Sequence, residues 1–190
     1  MALRKASAYS KKIVVPFTRK SRQKGKAYIK VVPPSKVVKF SMGDEKSFNE
    51  GKYPYHLTVI STEHVQIRHN ALEAVREFLT KKLDTLLLGK YLFKLYPYPH
   101  HIQRENKMIT GAGADRMQTG MALSFGKSMG RAAILKPGTK MFFFAVANES
   151  GIASIRKMLG QIRSKMPGHI KIIQEFTGQK PIPAFVEAAA

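Results

Sequence analysis

"NALEAVREFLTKKLDTLLLGKYLFKLY", residues 70–96, changes its hydrophobic period in the middle. Ala71, Leu72, Val75, Phe78, Leu79, Leu83 and Leu86 recur at three and four residues, while Glu73, Arg76, Glu77 and Lys81 fall on the opposite side. That spacing predicts an amphipathic helix with one apolar stripe against a core. Glu77 precedes Lys81 by four residues, the favourable order for a weak surface pair, and Gly89 is placed to end the helix. "YLFKLY" at 91–96 then reads as a short strand that Pro97 and Pro99 terminate.

Upstream, "VVKFSM" places Val38, Phe40 and Met42 on one face of an expected strand, and "YHLTVI" at 55–60 alternates through Tyr55, Leu57 and Val59. Downstream, "RAAILK" (131–136) and "MFFFAV" (141–146) flank Lys136-Pro137-Gly138-Thr139, whose Pro-Gly pair suits a type II turn and predicts a hairpin. Asn148 is placed to cap a second helix, with Ile152, Ile155, Leu159, Ile162 and Met166 stepping by three and four. "HIKII" at 169–173 is the last expected strand. Few helices, several strands and no regular βαβ alternation give an α+β fold, a mixed sheet with two helices on one face. Two of Phe142, Phe143 and Phe144 are expected to point together into the core.

The charge is extreme. Lys and Arg number 33 against 12 Asp and Glu, a formal +21 in 190 residues, with a pI near 10.3. A polyanionic partner is the default inference. Residues 1–43 hold twelve basic residues and no acid, so 1–36 is expected to be a basic, extended N-terminal arm preceding a globular domain at 37–175 and a flexible tail at 176–190. The arm's candidate RNA-binding cations are Arg4, Lys5, Lys11, Lys12, Arg19, Lys20, Arg22, Lys24, Lys26 and Lys30. Its Tyr9, Phe17 and Tyr28 suit either stacking on bases or docking back onto the protein. A membrane is disfavoured: the longest purely apolar run, "MFFFAVA" at 141–147, is far short of the roughly 20 residues a spanning helix needs, and no apolar segment of a signal peptide follows Arg4 and Lys5. Cysteine is absent, which removes disulfides, thiolate ligands and cysteine nucleophiles.

Enzymatic signals are weak. "GMALSFGKS" (120–128) encloses five residues between Gly120 and Gly126, where a phosphate-binding P-loop needs four and a following helix. His100 and His101 are adjacent and would point apart, so a metal site is not expected. Glu105 and Asp115 each have a basic neighbour, Arg104 and Arg116, and read as ion-paired rather than catalytic. What stands out is a glycine-rich loop, 97–130, unusually long for a compact domain. It carries Arg104, Lys107 and Arg116, with Lys127 near its end and Arg131 just beyond, a composition that suits a finger inserted into folded RNA.

"QIRHNALEA" (66–74), "YPHHIQRENKMITGAGADRMQTGM" (98–121) and "FGK" (125–127) together resemble the archaeal and eukaryotic branch of large-subunit ribosomal protein family sixteen. The resemblance covers about residues 37–175 and is most specific in the loop. It implies an α/β-hammerhead fold and a structural, non-enzymatic role in the cytoplasmic large ribosomal subunit, without a cofactor. The implied partners are large-subunit rRNA near the 5S rRNA and central protuberance, A-site and P-site tRNAs near the peptidyl-transferase centre, and other large-subunit proteins. Within the loop the matching polar residues are Arg104, Asn106, Lys107, Asp115 and Arg116. Family members commonly place an arginine after the Gly-Met that closes this block, where this chain has Ala122 and Leu123. The alternative is a free RNA- or tRNA-binding module outside the ribosome.

Overall fold

The computed structural model describes residues 5, 9, 16–18, 23, 29–118, 120–121 and 125–177. Elements follow in the order β1 (Ser41–Gly43), α1 (Glu45–Asn49), β2 (Tyr55–Ser61), β3 (Val65–Arg68), α2 (His69–Leu87), β4 (Tyr91–Leu95), β5 (His101–Glu105), α3 (Ala114–Met117), β6 (Lys127–Leu135), β7 (Lys140–Val146), α4 (Glu149–Ile162), a 3₁₀ turn (Arg163–Lys165) and β8 (Ile170–Phe176). The α+β class stands. The sheet expected as one mixed layer is instead two, a five-stranded sheet ordered β1-β4-β7-β2-β8 and a three-stranded sheet ordered β3-β6-β5, and the pairings in both are antiparallel.

The period-two alternation of β2, β4 and β7 sorts their side chains between the two faces of the larger sheet. Register places Leu57 and Phe93 on either side of Phe144, and Val59 and Leu95 on either side of Phe142. Phe93 and Phe144 stack at 4.7 Å between ring centroids. This face meets Leu72, Val75, Leu79 and Leu83 of α2 and Ile152, Ile155 and Leu159 of α4 in one core. Phe143 points the other way and packs with Phe48 of α1 beside Tyr53, Leu92 and Ala145. The expected division of the three phenylalanines is therefore observed.

Helix α2 joins the two sheets. It follows β3 directly and touches β4 of the larger sheet as well as β3 and β6 of the smaller, so Ile67, Ala133 and Leu135 enter the same core as Leu57 and Phe142. On its outer side the Arg76 Nε donates to Glu73 at 2.9 Å. Its apolar stripe ends differently from the sequence expectation: Leu86 is 54% exposed, and Leu87, four residues after Leu83, continues the stripe against the core. Leu88 then takes the left-handed conformation and Gly89 follows it, ending the helix where expected.

Two further differences concern strands. Val38 is exposed and Val37 is buried, because the ladder with β4 begins only at Ser41, opposite Lys94, and residues before it are free of strand alternation. The turn at 136–139 forms as expected, with the Thr139 amide donating to the Lys136 carbonyl at 3.1 Å and Gly138 at a φ of 82° that disfavours other residues. It does not make a hairpin. β6 pairs with β3 and β5, whereas β7 pairs with β2 and β4, so the turn is the corner at which the chain leaves one sheet for the other. The corner is tied to β2 by the Ser61 amide donating to the Thr139 carbonyl (3.0 Å) and the Gly138 amide donating to the Ser61 carbonyl (2.8 Å).

Truncating Phe144 to alanine is expected to cost about 3–5 kcal/mol of stability through loss of a buried aromatic, whereas Leu86→Ala should stay within about 0.5 kcal/mol. Chemical denaturation of the two variants checks this; a comparable loss from both would contradict the assigned core.

Candidate nucleic-acid interface

The stretch expected to be one long loop has a built base. Residues 101–105 pair with 127–132 as β5 and β6, from His101 opposite Ala132 to Glu105 opposite Lys127, with an irregularity between Gln103 and Arg104. Of the described residues between the strands, 106–118, 120–121 and 125–126 lie beyond the ladder. The two legs are in contact where they leave it: a Cβ on Gly126 would lie 2.5 Å from the Glu105 carbonyl carbon and 2.7 Å from the Asn106 nitrogen, so only glycine permits this approach. Lys127 opens a strand rather than a helix, which removes the structural context a P-loop at 120–128 requires. Ala122 and Leu123, where the family pattern is broken, lie outside the described residues.

Beyond the ladder, Gln118 staples the finger. Its side-chain amide donates to Asn106 Oδ1 at 2.9 Å and its Oε1 accepts from the Ile109 amide at 2.9 Å. Asn106 thus has an internal role in shaping the finger. Lys107, Asp115, Arg116 and Lys127 are exposed, with Asp115 and Arg116 on the single turn of α3. Met108, Ile109, Met117 and Met121 are exposed beside them, and Met117 is 73% accessible. The finger therefore presents cations among flexible apolar side chains, suited to phosphates and to the faces of bases.

Arg104 and Arg131 are placed differently from these exposed cations. The Arg104 guanidinium lies 4.3 Å from the Phe17 ring centroid and 4.0 Å from that of Phe125, and its Nη1 donates to the Phe125 carbonyl at 2.9 Å. It bridges the arm and the far leg of the finger. Arg131 Nε donates to the Pro33 carbonyl at 2.6 Å, and its Nη1 donates to the Tyr98 hydroxyl at 3.3 Å. The Ser128 hydroxyl donates to the Val31 carbonyl at 2.8 Å. Of the arm's aromatics, Phe17 docks against the body in this way and Tyr9 lies beneath Arg68, 5.7 Å from centroid to guanidinium; Tyr28 falls outside the described residues. Of the arm's cations, Lys5 and Lys30 are exposed, while Arg4, Lys11, Lys12, Arg19, Lys20, Arg22, Lys24 and Lys26 lie outside the described residues.

Two histidines complete this seam, and nothing in their spacing announces it. The Phe17 amide donates to His101 Nδ1 at 2.8 Å while the Ile102 amide donates to the Phe17 carbonyl at 2.9 Å, so residue 17 is held on both sides of its backbone. The Lys36 amide donates to His69 Nδ1 at 3.3 Å. An imidazole that accepts at Nδ1 must be unprotonated there. Burial, then Arg104, lowers the His101 pKa from its ordinary 6.5; burial, then Lys36, Arg131 and Arg68, lowers that of His69. His100 points away from His101 and packs against Tyr98 at 4.5 Å, as adjacent residues on an extended chain should. Among the described residues no group of three or more potential metal ligands forms.

A lowered histidine pKa means that, below about 6.5, the undocked state binds more protons than the docked one. The histidines' contribution to arm docking is therefore fully present above that pH and is lost as pH falls toward the depressed values. Hydrogen-exchange protection of the Phe17 and Ile102 amides, corrected for intrinsic rate, is expected to fall from about pH 7 to about pH 5. Pairing His101→Phe with His69→Phe should abolish the pH dependence; a wild-type seam that is pH-independent would contradict the assignment.

The family model for ribosomal protein L16p/L10e matches residues 15–173, a span that includes the smaller sheet, all but the end of β8 in the larger one, the finger and most of the arm seam. The large ribosomal subunit protein uL16 of Staphylothermus marinus is 40% identical over 185 residues, covering 96% of this chain and 100% of the relative. That of Nanoarchaeum equitans is 39% identical over 175 residues, with 90% and 94% covered, and that of Sulfolobus acidocaldarius is 40% identical over 174 residues, with 90% and 93% covered. On these matches the chain belongs to the L16p/L10e family of ribosomal proteins, which are structural constituents of the large subunit and not enzymes.

Proposed function

We propose that the three-stranded sheet is a mounting from which the finger reaches large-subunit rRNA near the 5S rRNA and the central protuberance, and supports A-site and P-site tRNA near the peptidyl-transferase centre. The observation that carries this reading is the division of labour among its basic residues. Lys107 and Arg116 are exposed on the finger and Lys127 at its base, while Arg104 and Arg131 brace that base against the arm. Braced cations fix the direction of the projection, and exposed ones contact phosphates.

The arm's cations, from Arg4 to Lys30, add further phosphate contacts along the RNA, with 1–36 as a basic RNA-binding arm and 37–175 as the folded body. Asp115, exposed in the first turn of α3, faces outward with Arg116 and accepts from base or ribose donors. The protein positions RNA, and the RNA performs the chemistry. The chain works in the cytoplasm as part of the ribosome.

Lys107→Ala combined with Arg116→Ala should leave folding unchanged, because both side chains are exposed. Association with large-subunit RNA should weaken, and the log-log dependence on salt should become shallower by roughly 1.5 to 2. Binding of both proteins across a salt series measures this; an unchanged slope would remove the finger from the phosphate contacts.

A further inference from the structure

A second site lies on the larger sheet, away from the finger. Helix α4, the 3₁₀ turn and β8 enclose an open cavity of about 320 Å³, at the lower end of the roughly 300–1,000 Å³ range of pockets that hold small ligands. Its lining mixes apolar Leu159, Met166 and Ile172 with the exposed Arg156, Arg163 and His169. Arg156 is held in place by donating from its Nη2 to Gln174 Oε1 at 2.9 Å. Outside the lining, the Glu63 carboxylate lies 3.6 Å from His169 Nε2.

Gly160 borders the cavity. It lies inside α4, where glycine is less favourable than alanine, and a Cβ added there would meet nothing within 4 Å. Neither packing nor a left-handed backbone requires a glycine at this position. Its effect is to keep one wall of the cavity open.

We propose that the cavity between α4 and β8 receives one unstacked nucleobase of RNA, with the flanking phosphates on Arg156 and Arg163. The assignment rests on the RNA-binding reading above and adds a second contact point to it. The apolar lining residues accept the face of a base, guanidinium planes stack on bases and pair with phosphates, and a lining that holds Arg156 and Arg163 and, among the described residues, no carboxylate favours a polyanion. An aromatic side chain of a neighbouring protein is the competing occupant.

Large subunits containing the full chain, made with photoreactive methionine and irradiated, test this. Met166 lines the cavity and Met108 lies on the finger, and trypsin separates them in peptides 166–171 and 108–116. The expected result is a nucleotide adduct on 166–171 that Gly160→Leu reduces about tenfold, the order of losing one stacked base, while the adduct on 108–116 persists. Arg163→Gln should weaken the same adduct. Gly160→Ala should raise the unfolding midpoint of the chain by roughly 2–4 °C; a fall would make the glycine structural and overturn the argument. A nucleotide adduct on 108–116 without one on 166–171, or a protein adduct on 166–171, overturns the pocket assignment alone. Nucleotide adducts on neither peptide overturn it together with the RNA-binding reading.

Discussion

The corner at 136–139 is the constraint on which the remaining geometry depends. Gly138 bends the chain out of β6, and two backbone hydrogen bonds to Ser61 fix the bend against β2. Because β6 is the central strand of the smaller sheet and β7 lies inside the larger one, this corner sets the angle between the sheets. Helix α2 then fills the space between them with one apolar stripe. The finger extends from the smaller sheet, so its direction is inherited from a turn at the far end of β6 and from the packing of a helix that does not itself enter the finger.

A chain of formal charge +21 also has to hold its basic arm against a basic body. The seam solves this with contacts that need no opposite charge. Backbone amides of the arm donate to His101 and His69, arm carbonyls accept from Ser128, Arg131 and the Ile102 amide, and Arg104 rests on the faces of Phe17 and Phe125. Ring faces and carbonyl oxygens carry partial negative charge, which offsets part of the repulsion between cations. Lys107, Arg116 and Lys127 stay exposed on and beside the finger, where an external polyanion would add the countercharge that the protein lacks.

Much of this was legible in the residues because the relevant signals are local. The stripe from Leu72 to Leu83, the alternation in β2 and β4, the helix start after Asn148, whose side chain makes no cap hydrogen bond, and the opposite facing of Phe142 and Phe143 each depend on neighbours within a turn or a strand. The misread features are decided at long range. A Pro-Gly turn between two apolar strands has the same sequence whether the strands pair with each other or with different sheets. The arm anchors depend on His101 meeting a residue 84 positions away and His69 one 33 away. Gly126 is the exception with a readable trace: a glycine preceding a strand at the end of a long loop signals a close approach, here to Glu105 and Asn106. The exposed finger cations were visible as candidates, but the bracing role of Arg104 required the positions of Phe17 and Phe125.

The central claim, that this surface exists to hold the chain on RNA of the large subunit, is tested most directly by sedimenting an extract containing the tagged full chain through a sucrose gradient, with and without prior ribonuclease treatment. The account predicts that the chain travels with large subunits and translating ribosomes and that digestion of the RNA releases it. A chain that remains at the top of the gradient in both samples would contradict the account.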